Sequence, residues 1–437
     1  LKEFRYFCIN SYNLSLVRMK SSDEIFQLIK TMSEKEKRFF RKKYLFFIPD
    51  EDKNYIKLFD EISKQVNSGN VYEEKNLKRA DFTGKFIKNL SFNKNYLYNA
   101  ILNTLVLFHK DSKDNYSVRN LLTQAEILSG KMLYSQSLKI LQRAKKISFE
   151  KDLFNSYYEI INIERTIGKY NSSIEEYNIN SENYFSEQYK TLKLQGTLLD
   201  YYTLNEKVGM FLRSFGSGRV RDKIEMEEFE KIFDNPLLKN VDNAKTFFCR
   251  YIFYNLNLQY HLTNYNFEEA YNCAKSAVEL WENNPDKIAG KLDNYIFSLN
   301  NLLNTQSRSN KFDECDINVE KMRNLDKKFP DMLTESNKVF IFYSLSIHML
   351  SLHIQTTDTV KLKSAEEDIR KGLKLYEDKV TVYQRIILYY FLSISNIVLE
   401  DYEKCIYWNS KIFNIGKTDL SEDYQCYARI IQLISFY

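Results

Sequence analysis

The residues with the clearest chemical potential form a basic and aromatic cluster in the N-terminal part of the chain. Lys and Arg side chains alternate with Phe and Tyr side chains over residues 35–47. Basic groups contact phosphates and aromatic rings stack on bases, so nucleic-acid-binding proteins use this combination. The candidate basic residues are Lys37, Arg38, Arg41, Lys42 and Lys43.

The same cluster fits an amphipathic helix of the protein core. Phe39, Phe40, Lys43 and Phe47 recur at intervals of three or four residues, which places them on one helical face. On this interpretation the rings are buried, most charges are solvated, and the aliphatic part of Lys43 lies along the edge of the face. We favour this interpretation over a helix that contacts nucleic acid or an acidic protein.

Other kinds of chemical site have little support. His348 and His353 are five residues apart, so they do not share a helical face as paired metal ligands would. Gly216 and Gly218 follow a predicted helix, whereas a phosphate-binding loop follows a strand. Acidic pairs at 268–269 and 366–367 fit solvated helix faces. We therefore predict a non-catalytic protein with no metal and no cofactor.

Composition narrows the class of protein. The 437 residues include only 11 Gly and 4 Pro, far below their average usage of roughly 7% and 5%, which favours long helices joined by short turns. Six Cys without a CxxC pair are typical of reduced core thiols in a cytosolic protein. No apolar run reaches the roughly 18–20 residues of a membrane span. The sequence thus predicts an all-α, cytoplasmic protein with no membrane segment.

The charge is almost balanced, with 63 basic and 58 acidic residues and a net charge of +5. A strong field for polyanions is not indicated. Residues 1–100 nevertheless contain 20 Lys or Arg against 13 Asp or Glu. The nucleic-acid alternative therefore rests on this N-terminal surplus.

The N-terminal region, residues 19–112, is predicted to be helical without repeats. Ser21 with Glu24 and Ser33 with Glu36 match the capping box that starts helices. Together with apolar spacing and the break at Pro49, they predict helices at about 22–32, 34–47, 50–67, 73–80, 82–89 and 93–109. Residues 1–18 precede the first methionine, and we interpret them as upstream sequence, an alternative start or a genuine extension.

From about residue 117 a spacing recurs in which an aromatic is followed by mostly small residues three, seven and ten positions later. Small residues let two helices of a pair cross closely. The positions that best carry the pattern are Tyr134, Ser137, Ala144, Phe267, Ala270, Ala274, Ala277, Cys315, Ala365, Gly372, Tyr402 and Cys405. A weaker match surrounds Ser173, and the 97 residues between it and Ala270 have room for two further units.

This pattern resembles the tetratricopeptide repeat (TPR), whose period is 34 residues, in a degenerate and irregular form. Residues 21–40 and 93–105 are also similar to segments of uncharacterised TPR-containing proteins of Bacteroidetes bacteria. The resemblance implies an all-α, TPR-like superhelix over residues 117–437 that follows the N-terminal helical region. The helix predicted from residue 421 has no partner, so we expect the repeat array to be incomplete at its C-terminus.

Stacked helix pairs bind peptides or partner proteins along a curved surface. The sequence therefore predicts an interaction scaffold or adaptor with an unknown protein or peptide partner. The alternative is a nucleic-acid-associated regulator that uses the basic N-terminal region.

Overall fold

The computed structural model describes residues 21–47, 53–68, 72–79, 82–110, 114–214, 220, 222–330, 332–415 and 422–436. Over these residues the protein is all-α and contains no strand. The helices are α1 (Ser21–Thr31), α2 (Glu34–Phe47), α3 (Lys53–Asn67), α4 (Glu74–Arg79), α5 (Gly84–Lys88), α6 (Leu90–His109), α7 (Asp114–Gly130), α8 (Tyr134–Glu150), α9 (Phe154–Asn171), α10 (Ile174–Ser214), α11 (Lys223–Phe233), α12 (Phe247–Thr263), α13 (Phe267–Glu282), α14 (Pro285–Ile288), α15 (Leu292–Arg308), α16 (Phe312–Arg323), α17 (Leu325–Lys328), α18 (Glu335–Gln355), α19 (Thr359–Tyr376), α20 (Val382–Val398), α21 (Tyr402–Asn414) and α22 (Glu422–Phe436). Short 3₁₀ segments occupy Pro236–Leu238, Val241–Asn243 and Ala289–Lys291.

The chain forms two compact units, Leu1–Thr123 and Gln124–Tyr437. In the first unit, α1 to α6 reproduce the six helices that the sequence predicts, with small shifts at their ends. The capping box at Ser33 is confirmed, because the Glu36 carboxylate accepts the Ser33 backbone N–H at 2.7 Å and the Ser33 hydroxyl accepts the Glu36 N–H at 3.3 Å. Residues 1–18, Pro49 and the turn at 69–70 lie outside the described residues.

The second unit repeats one kind of turn six times among the described residues. Five of these turns lie within the helix pairs α7/α8, α12/α13, α15/α16, α18/α19 and α20/α21, and the sixth joins α8 to α9. Each turn has three residues, and its middle residue has a positive φ between 53° and 60°. These residues are Met132, Asp152, Tyr265, Asn310, Thr357 and Glu400. The next backbone N–H donates to a carbonyl five residues earlier, as from Asp401 to Asn396 at 2.8 Å. This left-handed cap closes the first helix and reverses the chain.

The start of the second helix of each pair repeats as well. Its first residue is aromatic in four pairs, namely Tyr134, Phe267, Phe312 and Tyr402. The residue three positions later is fully buried in all five pairs, at Ser137, Ala270, Cys315, Leu362 and Cys405. Ala144, Ala274 and Ala277 are also buried. Polar contacts link the two helices of a pair, as where the Ser137 hydroxyl donates to the Ala125 carbonyl at 2.7 Å.

The α18/α19 pair has a different register from the one predicted. Counted from Thr357, the first buried position of α19 is Leu362, so Ala365 lies one turn beyond the place predicted for it. Gly372 has a separate structural reason. A Cβ atom there would overlap the ring of Phe342 on α18, so the glycine allows the two helices to approach closely.

The segment between the α7/α8 pair and α12 includes most of the stretch in which the sequence left room for two further units. It contains α9, the 41-residue helix α10 and the short helix α11. Ser173 caps the start of α10, where its hydroxyl accepts the Glu176 N–H at 3.2 Å. Gly216 and Gly218 lie outside the described residues, and α10 ends at Ser214.

Among the residues that the structure describes, no helix is both long and apolar enough to cross a membrane.

Candidate functional site

Two grooves run between neighbouring helix pairs in the second unit. The first groove lies among α13, α15 and α16 and has a volume of about 200 Å³. The second groove lies among α16, α18 and α19 and has a volume of about 580 Å³. Helix α16 therefore contributes one side to each groove.

The two grooves use equivalent positions of their helices. From the first helix of the pair, each takes the residues eight and four positions before the positive-φ residue, which are Leu302 and Gln306 in one groove and Met349 and His353 in the other. From the second helix, each takes the third, sixth, seventh and tenth residues. These are Glu314, Ile317, Asn318 and Lys321 of α16, and Lys361, Ser364, Ala365 and Asp368 of α19. Two of the three sides are thus built twice, whereas on the third side the α16 residues of the second groove lie one turn earlier in their helix than the α13 residues of the first.

The first groove has an apolar floor and a charged rim. Val278, Leu302 and Ile317 supply the apolar part. On the rim, the Lys321 ammonium lies 2.7 Å from a Glu282 carboxylate oxygen. The Glu314 carboxylate accepts the Tyr271 hydroxyl at 2.6 Å. These contacts fix the charged side chains in place, so the rim is preorganised.

The second groove also has an apolar floor and a charged rim. Val319, Met349 and Ala365 supply its apolar part. Arg323 forms an ion pair with Glu320 and donates to the Met349 sulfur at 3.3 Å. The Lys361 ammonium lies 3.5 Å from an Asp316 carboxylate oxygen. Three acidic and two basic residues line this groove, so each of its cations has an anionic neighbour and one acid is in excess.

The histidines and thiols near the grooves are held in their neutral forms. Burial lowers the pKa of His353, and the nearby Lys361 ammonium lowers it further. His348 lies beside Asn300, with 3.0 Å between Nε2 and Oδ1, and burial lowers its pKa to about 4. Burial raises the pKa of the Cys315 thiol to about 12. A neutral buried thiol is a poor nucleophile.

Metal chemistry gains no support from the described part of the chain. No three His, Cys, Asp or Glu side chains gather there in a way that would hold a metal ion. His348 and His353 lie inside helix packing, where both are buried, as interfacial rather than ligating histidines would be.

The basic cluster of α2 is partly engaged by acidic residues. Lys37 is buried and its ammonium lies 2.9 Å from Glu34 Oε1. Arg41 Nε lies 2.9 Å from Asp60 Oδ1, and its guanidinium stacks over Phe59. Arg38 and Lys42 are exposed, and Lys43 is half-buried. The solvated-charge interpretation therefore does not hold for Lys37, whose side chain is buried.

The sequence analysis did not predict the grooves. A groove needs residues from three helices, and the interval between pairs is irregular, so spacing alone did not bring those residues together. Counting from the first residue of the second helix, Phe312 in α16 and Thr359 in α19, shows that Ile317 is equivalent to Ser364, and Lys321 to Asp368. Tyr402, predicted as a packing aromatic, is half-exposed at 46%.

No protein-family model matches the chain. A search of curated proteins also finds no match.

Proposed function

We propose that this chain is a cytoplasmic, non-catalytic scaffold or adaptor, built of TPR-like helix pairs, that binds an extended segment of a partner protein. The observation that carries the proposal is the repeated groove. Two successive helix pairs place equivalent residues around an apolar floor with an ion-paired rim. A surface with two of its three sides built twice suits a ligand that is itself linear, and helical-repeat proteins bind such ligands along their stacked pairs.

The lining indicates the chemistry of that segment. Each groove offers apolar contact at its floor, through Leu302 in the first and Met349 in the second. Methionine adapts its shape to different apolar partners. The first groove also has three acidic and two basic residues, Glu279, Glu282 and Glu314 against Lys275 and Lys321. A peptide with spaced apolar side chains and one or two basic residues is the ligand that fits both grooves.

A nucleic-acid partner is less well supported. Lys37 and Arg41 already contact Glu34 and Asp60, and these carboxylates offset the positive charge that a phosphate would meet. Arg38, Lys42 and Lys43 are left as the cluster's cations without an ion pair to a described residue. Phosphate-driven affinity grows with the number of cations that contact the backbone, so three give little binding at physiological salt.

Selection of a random peptide library on the full chain tests the proposal. We expect bound peptides to share apolar and basic residues, and Ile317→Arg or Ser364→Arg to weaken their binding roughly 10-fold or more by blocking a groove. Fluorescence polarisation at moderate salt measures this. Leu375→Arg is the matched control, because Leu375 is 66% exposed against 65% for Ile317 but lines neither groove. Equal binding by all four proteins, or no selected peptide, contradicts the proposal.

A further inference from the structure

Helix α10 exposes five large apolar side chains along one line of its surface. Phe185, Tyr189, Leu192, Leu199 and Met210 are between 47% and 74% exposed. Gly196, Thr203 and Glu206, also exposed, occupy the intervening places, so the line advances by alternate steps of four and three residues. This is the heptad spacing of a coiled-coil seam. We call these eight residues the α10 seam.

Most of the seam faces away from the rest of the second unit, and only at Phe185 does a described residue of α9 stack on it, with the Arg165 guanidinium 5.2 Å from the ring centroid. The buried residues of α10 include Thr191, Tyr201, Leu204 and Val208, which lie on other sides of the helix. A straight α-helix would let such a seam drift by about 20° per heptad. A second helix that winds gently around α10 keeps contact along the whole seam, whereas a small ligand covers only part of it.

We propose that the α10 seam is covered by α10 of a second copy of this chain, running antiparallel. In this arrangement the facing side chains of the two helices form four different layers, and the two-fold axis generates each layer twice. Phe185 meets Met210 of the second copy, and Leu192 meets Thr203. Tyr189 meets Glu206, and Leu199 meets Gly196. All four layers are centred on the same point of the helix, between Thr197 and Leu198, as an isologous interface requires.

The shapes of these layers are complementary. No heavy atom lies within 4 Å of the position that a Cβ atom of Gly196 would take, so the large Leu199 side chain of the second copy has space there. A parallel pair would instead place Gly196 against Gly196, which leaves a void.

The charges beside the seam select the same orientation. Lys193 and Asp200 flank it on one side, both are exposed, and neither forms an ion pair with a described residue. The antiparallel arrangement brings Lys193 of each copy toward Asp200 of the other. Flanking charges of this kind set the partner and the direction of coiled-coil helices.

Light scattering and sedimentation of the full chain over a range of concentrations test the pairing. We expect a dimer, and we expect Leu199→Glu to raise its Kd roughly 100-fold or more, because a carboxylate would be buried in the seam. Ile179→Glu is the control, since Ile179 is 72% exposed on α10 but lies outside the seam. Circular dichroism establishes that both variants keep the helical fold.

A charge exchange tests the orientation. Lys193→Asp alone should weaken the dimer, and Lys193→Asp combined with Asp200→Lys should restore it. A wild-type chain that is monomeric at roughly 100 μM, far above the Kd of ordinary specific interfaces, overturns the proposal. A dimer that survives Leu199→Glu overturns it as well, and a double variant no tighter than Lys193→Asp overturns the antiparallel orientation. These outcomes are independent of peptide binding in the grooves.

Discussion

The helix pairs of the second unit and the long helix α10 differ in how their apolar faces are covered. In the pairs, a residue with positive φ ends the first helix after at most 21 residues. The chain then returns, and the second helix covers the apolar face of the first. Helix α10 has no such turn and continues for 41 residues.

The two regions differ in how exposed their apolar side chains are. In the α12/α13 pair, Ala270, Ala274 and Trp281 are at most 1% exposed. On α10, Tyr189 and Leu199 are 74% and 63% exposed. A tight turn therefore decides whether an apolar face is covered within the chain or is left for another surface.

Among the substitutions that distinguish the helix pairs from α10, we expect truncation of Trp281 to change the free energy of unfolding most. Its ring is fully buried against Phe247, Phe248 and Tyr251. We expect Trp281→Ala to lower the free energy of unfolding by about 3–5 kcal/mol. Ile179→Ala on α10 should change it by less than about 0.5 kcal/mol. Urea unfolding followed by circular dichroism measures both, and similar losses would show that the two regions do not differ as described.

The N-terminal helices could be predicted because their start signals are local. Ser33 and Glu36 are three residues apart, and the bonds between them form within one turn. A pattern in the sequence then corresponds directly to a structure. The aromatic positions of the pairs were predictable for the same reason, since Phe267 and Ala270 belong to one helix.

The turns between helices were harder to predict, because their positive-φ residues are not glycines. Met132, Tyr265, Thr357 and Glu400 carry no sequence signal for a left-handed conformation. Without that signal, the register of α19 was displaced. The grooves depend on the same turns, so they could not be located from the sequence either.

Gly372 offers a second comparison, between a glycine required by packing and one that is not. In an exposed helix, Gly→Ala gains up to about 1 kcal/mol. At Gly372 the new Cβ atom would overlap the Phe342 ring, and overpacking costs about 1–3 kcal/mol. We expect Gly372→Ala to lower the melting temperature. Gly130→Ala, with nothing within 4 Å, should leave it unchanged or raise it, so a rise in both would argue against a tight α18/α19 contact.

We expect the smallest effect on the free energy of unfolding from a substitution in the turn between α18 and α19. Thr357 has a φ of 53°, and a β-branched residue in this region is strained. We expect Thr357→Gly to raise the free energy of unfolding by about 0.5–1 kcal/mol, because glycine adopts this conformation without a steric cost. Ser364→Gly, at an ordinary helical position seven residues later, should lower it by a similar amount. Denaturant midpoints measured in parallel give both values.

Opposite signs for these two substitutions would show that the left-handed turn, and not the general flexibility of glycine, controls stability at Thr357. Loss of stability in both would mean that the turn tolerates Thr357 at no cost. The absence of such a turn in α10 would then need another cause, since a left-handed cap that forms without strain could equally interrupt a 41-residue helix.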